Sequence, residues 1–155
     1  MQGLGAAQFA TGGAVDRLRA VREPEEAPRS VLLAATDPAN AYGAALPWPE
    51  RASGRKPARM AGAVVVLIDG MLAAWIARNE RQLLTFAETV TGRSTADMGR
   101  EVARALAASV GVKARRALLI GEVDGKPAAE SSMADALREA GFIPTSRGFL
   151  KRLGG

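Results

Sequence analysis

The sequence predicts an α+β fold: antiparallel hairpins forming a small barrel-like or half-barrel sheet, packed with two to three short helices. Three observations carry this. Apolar segments fold back across an Asp-Gly pair twice, at Asp69-Gly70 and at Asp124-Gly125. That dipeptide supplies the positive φ angles of a type I′ hairpin turn, whose twist matches the flanking strands. Between the two turns, Met98, Val102, Leu106 and Val110 recur every fourth residue, the spacing of one helix face. Strands joined by hairpins pair antiparallel, because parallel strands need a crossover after each one.

Residues 1–13 are rich in Gly and Ala and show no period. Ala14, Leu18 and Val21 then mark one side of a short helix whose other side carries Arg17, Arg19 and Arg22. Glu23-Pro24-Glu25-Glu26-Ala27-Pro28, two prolines among three acids, ends it in an exposed connection. The chain thus divides into an extension, 1–29, with a short helix and an acidic, proline-containing linker, and an α+β domain, 30–155. Residues 30–36 read as a short strand, and 37–59 as an irregular loop holding Pro38, Pro47, Pro49 and Pro57. A loop that long inside a compact domain is either functional or disordered.

Residues 61–77 form the first hairpin. Its first strand is apolar at consecutive positions, as expected when both faces are covered. Residues 78–81 turn the chain into a third strand, 82–87. Ser94 with Asp97 three residues on is a capping pair that starts the helix, and Gly111 stops it. Residues 117–123 begin the second β unit, and Pro127 on its return side marks an edge strand. Ser132 with Asp135 repeats the capping pattern, Met133 and Leu137 face the core, and Gly141 ends this second helix. Residues 142–153 read as a final strand or extended tail.

Composition removes much chemistry. The 155 residues, 48% hydrophobic, suit one domain with a real core. There is no cysteine and no histidine, so disulfides, thiol nucleophiles, cysteine or histidine zinc sites and imidazole bases are excluded, and no metal ligand set is anticipated. Apolar runs fall short of the roughly 20 residues of a membrane span, and no basic region precedes an apolar run at Met1. A cytoplasmic protein without membrane contact is expected. A net charge of +5 favours polyanionic partners without implying sequence readout.

The sharpest binding candidate is the loop, where Tyr42 and Trp48 precede Arg51, Arg55, Lys56 and Arg59, with no acid from 51 to 68. Aromatic rings give bases a stacking surface and cations neutralise phosphates, a combination suited to single strands. Alternatively, Tyr42 and Trp48 plug the open end of a small barrel and the cations form a solvated loop. A second basic group is Arg147, Lys151 and Arg152 around Phe149; a third, Lys113, Arg115 and Arg116, follows a helix C-terminus and complements its dipole. Asp37 and Asp69 are the carboxylates a catalytic role would choose, to activate water or stabilise an oxocarbenium-like sugar, yet each stands where a turn needs an aspartate.

Three segments resemble a known family: Gly3-Leu4-Gly5-Ala6-Ala7-Gln8-Phe9-Ala10 leading to Val15-Asp16-Arg17-Leu18-Arg19; Thr36-Asp37-Pro38-Ala39-Asn40-Ala41-Tyr42-Gly43 with Leu46-Pro47-Trp48-Pro49; and Val66-Leu67-Ile68-Asp69-Gly70 continuing into Leu83-Leu84-Thr85-Phe86. Together they are similar to the extreme C-terminal region of Lhr-type (large helicase-related) superfamily 2 helicases, beyond the motor and winged-helix modules. Ala136-Leu137-Arg138-Glu139-Ala140-Gly141-Phe142-Ile143-Pro144-Thr145-Ser146-Arg147-Gly148-Phe149 is similar to the end of that region. Ala41 departs from the proline of many relatives.

The resemblance implies an ATP-dependent DNA repair helicase family that translocates 3′ to 5′ on single strands, with a barrel-like glycosylase-related module in its C-terminal portion. It implies that this chain is a non-motor accessory module contacting nucleic acid, part of or companion to a longer protein. Its partners would be single-stranded or partly duplex DNA and the motor and winged-helix modules of the same or a neighbouring chain. Part of a glycosylase-like repair domain, or a purely structural or oligomerisation domain, are the alternatives. No Gly-x-x-x-x-Gly-Lys-Ser/Thr run exists; the nearest, Gly121 to Pro127, is one residue short and ends in proline where a hydroxyl must reach magnesium. ATP and magnesium are therefore expected only for the absent motor domains, and the chain alone is expected to be non-catalytic.

Overall fold

A computed structural model describes residues 29–51, 54–79, 81–86, 92–112 and 115–154. The anticipated helix near 14–22, Lys113 and the last residue of the anticipated strand 82–87 lie outside these residues. In chain order the elements are β1 (Ser30–Ala34), β2 (Val64–Ile68), β3 (Met71–Ile76), β4 (Gln82–Thr85), α1 (Thr95–Ser109), β5 (Ala117–Ile120), β6 (Glu122–Val123), β7 (Lys126–Pro127), a 3₁₀ turn (Ala128–Glu130), α2 (Ala134–Glu139), β8 (Ile143–Thr145) and β9 (Gly148–Arg152). No helix among the described residues is long and apolar enough to cross a membrane.

The α+β class is as predicted. β1 to β4 pair antiparallel in sequence order, β6 joins β4 in parallel, and β7 hydrogen-bonds to β6. β5, β9 and β8 form a second, three-stranded antiparallel sheet. The larger sheet is open, with β1 and β7 as its edges, so the barrel-like expectation does not extend to closure. The route through α1 and β5 brings β6 back in the same direction as β4. At two residues each, β6 and β7 are too short to wrap toward β1.

Both Asp-Gly pairs have the positive φ values that a type I′ turn needs: 50° at Asp69 and 81° at Gly70, 52° at Asp124 and 81° at Gly125. Pro127 lies in the edge strand anticipated for it. α1 begins at Ser94, whose Oγ accepts from the Asp97 amide at 3.1 Å and donates to Asp97 Oδ2 at 2.6 Å. Met98, Val102 and Leu106 are buried along its inner face, and Val110 is half-buried.

Three expectations are corrected. Ser132 does not cap α2: Met133 holds the N-cap position and makes no side-chain cap, while Ser131 Oγ accepts from the Met133 amide at 3.3 Å. The 3₁₀ turn ahead of α2 places the corner one residue earlier than the Ser-x-x-Asp spacing suggested. The segment 117–123 is not one strand but divides at Gly121 between the two sheets, where the amides of Gly121 and Glu122 both donate to Arg81 O (2.9 and 2.8 Å). The segment 142–153 is a hairpin rather than a single strand, closing with Thr145 opposite Gly148.

The larger sheet is apolar on both faces. Val64, Val66 and Ile68 pack with Met98, Val102, Leu106, Leu137 and Phe149 in the main cluster. Val65, Leu72, Trp75, Leu84 and Phe86 form a second cluster with Ala35 and Tyr42 from beyond β1. The consecutive apolar residues of β2 thus have two faces to satisfy, as the sequence predicts. A bulge between Val66↔Ala74 and Leu67↔Leu72 leaves Ala73 as the extra residue, so Leu72 joins the second cluster while Ala73 and Ala74 join the main one.

Candidate nucleic-acid interface

The proline-rich loop begins with a local anchor. Asp37 Oδ1 accepts from the Ala39 amide at 2.8 Å, the aspartate turn its position suggested. Asn40, 1% exposed, donates through Nδ2 to Ala35 O (2.8 Å) and Tyr42 O (3.2 Å) and accepts from the Tyr42 amide (3.1 Å). Tyr42 is thereby held against the sheet, where its hydroxyl accepts from the Leu72 amide at 3.2 Å, beside the bulge. Trp48 is half-buried and stacks on Tyr42 with centroids 6.3 Å apart and planes at 23°. Both aromatics pack on one apolar face of an open sheet, a role related to a barrel plug.

Most of the loop arginines already have partners. Arg51 donates to Thr85 O and Asp124 Oδ1, each at 2.7 Å, and lies over the Phe86 ring. Arg59 donates to three carbonyl oxygens, Asn40 O (2.7 Å), Thr36 O (3.1 Å) and Asp37 O (3.2 Å), and so closes the loop onto its own start. Arg55 is exposed and donates to Gln82 Oε1. Lys56 is exposed, with no side-chain partner among the described residues.

Lys56 and Arg55 border a cleft of about 430 Å³ whose other side is Arg78 and Asn79 and whose inner wall includes Trp75. The Trp75 indole donates to Ala58 O at 3.0 Å, fixing the loop against β3. A second, more polar cleft of about 470 Å³ shares Asn79 and is lined by Arg81, Gln82, Glu122, Ser146 and Arg147 among others. The guanidinium groups of Arg78, Arg81 and Arg147 have no hydrogen-bond or ion-pair partner among the described residues. Cations from the loop, the β3–β4 turn and the β8–β9 turn therefore gather around 78–81; Glu80, in the same turn, is outside the described residues.

The tail group is divided by the fold. Arg147 sits at the hairpin tip beside this rim, whereas Lys151 and Arg152 line a separate cleft with Ile143 and Leu150. Phe149 between them is fully buried, with the Arg138 guanidinium over its ring. Arg78 and Arg81 were read from sequence only as turn residues; their signal was that cations flank a tight connection between two buried strands.

The carboxylates are engaged in turns. Asp69 Oδ1 accepts from the Arg29 amide (3.0 Å) and Oδ2 from Arg93 (3.2 Å). The run Gly121 to Pro127 forms the β6–β7 hairpin and leads into a 3₁₀ turn instead of a helix N-terminus, so it offers triphosphate no cradle. The Asp97 carboxyl is held below the usual carboxylate range, first by the Ser94 hydroxyl and then by Arg100.

No protein-family model matches the chain. It is 39% identical over 163 residues to the Lhr helicase/probable uracil glycosylase of Mycolicibacterium smegmatis, a match covering 98% of this chain and 10% of that protein. It is 34% identical over 151 residues to the Lhr helicase/uracil glycosylase of Escherichia coli K12, covering 96% of this chain and again 10% of the relative. The chain spans about a tenth of the length of these relatives. Along nearly its whole length the chain is related to Lhr helicases, as a counterpart of their C-terminal region.

Proposed function

We propose that the chain serves an Lhr-type DNA repair helicase as a non-motor accessory module that holds nucleic acid on the basic rim around the β3–β4 turn. One observation carries the reading: Lys56, Arg78, Arg81 and Arg147, from three separate stretches of sequence, surround one turn without a carboxylate partner among the described residues. Cations so gathered gain affinity for a phosphate backbone by releasing its counterions, and they position a strand without reading its bases. The partners in this reading are single-stranded or partly duplex DNA and the motor and winged-helix modules of the same or a neighbouring chain, in the cytoplasm. The repair setting comes from the relatives, whose names join helicase to uracil glycosylase. In this reading ATP and magnesium belong to the motor, and the chain by itself hydrolyses no ATP.

Fluorescence anisotropy of a labelled single-stranded oligonucleotide, titrated with the chain at several salt concentrations, tests this. The logarithm of the binding constant should fall linearly with the logarithm of salt concentration, by about 0.7 per phosphate contacted. Replacing Lys56 and Arg78 together by alanine should reduce that slope by up to about 1.4. Absence of salt-dependent binding would remove the nucleic-acid role and leave a structural or oligomerisation module.

A further inference from the structure

The polar cleft between the β3–β4 turn and the β8–β9 hairpin is built differently from the first one. Its two cations come from different elements, Arg81 from the turn and Arg147 from the hairpin tip. Gly121 lies against the backbone of both: a Cβ built there would stand 3.2 Å from Arg147 O, 3.4 Å from Arg81 O and 3.5 Å from Arg81 Nε. Both approach Gly121 this closely because it has no side chain. Glu122, the carboxylate lining the cleft, already accepts from Gln82 Nε2 at 3.1 Å, and Gln82 Oε1 accepts from Arg55 of the first cleft. Asn79 lines both clefts.

We infer that a single strand crosses the β3–β4 turn from one cleft to the other, with one phosphodiester seated between Arg81 and Arg147. This rests on the nucleic-acid reading above. Two arginines that line one cleft, neither with a side-chain partner among the described residues, offer an anion a seat, and the fork of each can donate more than one hydrogen bond to phosphate oxygens. A second phosphate then falls on Lys56 and Arg78, across Asn79. The strand must curve around a turn of only a few residues to reach both clefts. A duplex, stiff over about 150 base pairs, does not follow such a path, whereas a single strand does.

The test uses the 155-residue chain with a labelled oligothymidylate and with a duplex of equal length, each over a range of salt. Arg81→Ala with Arg147→Ala is expected to lower the single-strand salt slope by about 0.7 and to weaken binding at every salt concentration. Arg81→Lys with Arg147→Lys should restore most of the slope. Both double variants should keep the parent melting temperature, because neither side chain has a bonding partner among the described residues. The duplex should bind more weakly and lose no slope in the alanine variant. If the parent binds single strands but the alanine variant keeps its affinity and slope, the cleft is no phosphate seat and the module reading survives. A duplex that binds as tightly, and loses the same slope, overturns the single-strand path. A parent that binds neither overturns both readings together.

Discussion

Arg51 and Asp124, 73 residues apart in sequence, meet through a 2.7 Å bond that ties the proline-rich loop to the second Asp-Gly turn. The same carboxylate accepts from the Thr85 amide (2.9 Å) and hydroxyl (2.6 Å), and Arg51 returns a bond to Thr85 O. Two distant segments thereby close over the end of β4. Asp124→Ala should cost about 1.5 to 3 kcal/mol, since it removes bonds to a charged group, and Arg51→Ala a similar amount. The double variant should cost less than the two together, because both single changes break one network. Urea denaturation of the three variants measures this. None of them should reduce the salt slope of DNA binding, because Arg51 is spent on the fold.

Gly70 has φ +81° and open space around its missing Cβ, so any effect of a side chain there is conformational. Gly70→Val should cost on the order of 1 to 3 kcal/mol. A lowered denaturation midpoint at unchanged slope checks it; Gly70→Asn, which tolerates positive φ, should recover most of the loss.

Gly43 has φ +73°, and a Cβ there would stand 2.6 Å from the Trp48 indole. Gly43→Ala must therefore displace Trp48 from Tyr42, with a stability loss of about 1 to 3 kcal/mol for the strained backbone alone. Tryptophan fluorescence should shift to the red as the ring gains water. Trp48→Ala should lower the melting temperature by uncovering the second cluster, and leave the salt slope near that of the parent.

Asp97 binds its proton less readily in the folded chain than in the unfolded one, because Ser94 and Arg100 stabilise its charged form. The unfolded state therefore holds more protons in the acid range, and stability rises with pH there. The contribution is complete above the usual carboxylate range and is lost as pH falls through the lowered folded value. Asp97→Asn should melt below the parent at neutral pH and converge with it in acid, as read by circular dichroism across pH. Ser94→Ala should cost about 0.5 to 2 kcal/mol through loss of the cap.

What the sequence determined by itself was local. Asp-Gly needs positive φ wherever the chain reverses, so both hairpin turns were legible; Ser94 and the every-fourth-residue series specified α1; and the unbroken apolar run of β2 announced two covered faces. Each depends on residues within a few positions of one another. Other features depend on which distant groups meet. The acid-free stretch from Arg51 onward looked like free charge, yet Arg51 and Arg59 are taken by a carboxylate and carbonyls from elsewhere in the fold. The bulge that sends Leu72 and Ala74 to opposite faces is invisible in a run of apolar residues, because it follows from register against β2. The two clefts exist only where the β3–β4 turn meets the loop on one side and the β8–β9 hairpin on the other. Tertiary structure decided which cations remain without partners, because a guanidinium takes whatever acceptors long-range pairing brings within hydrogen-bond reach, and sequence spacing does not encode that distance.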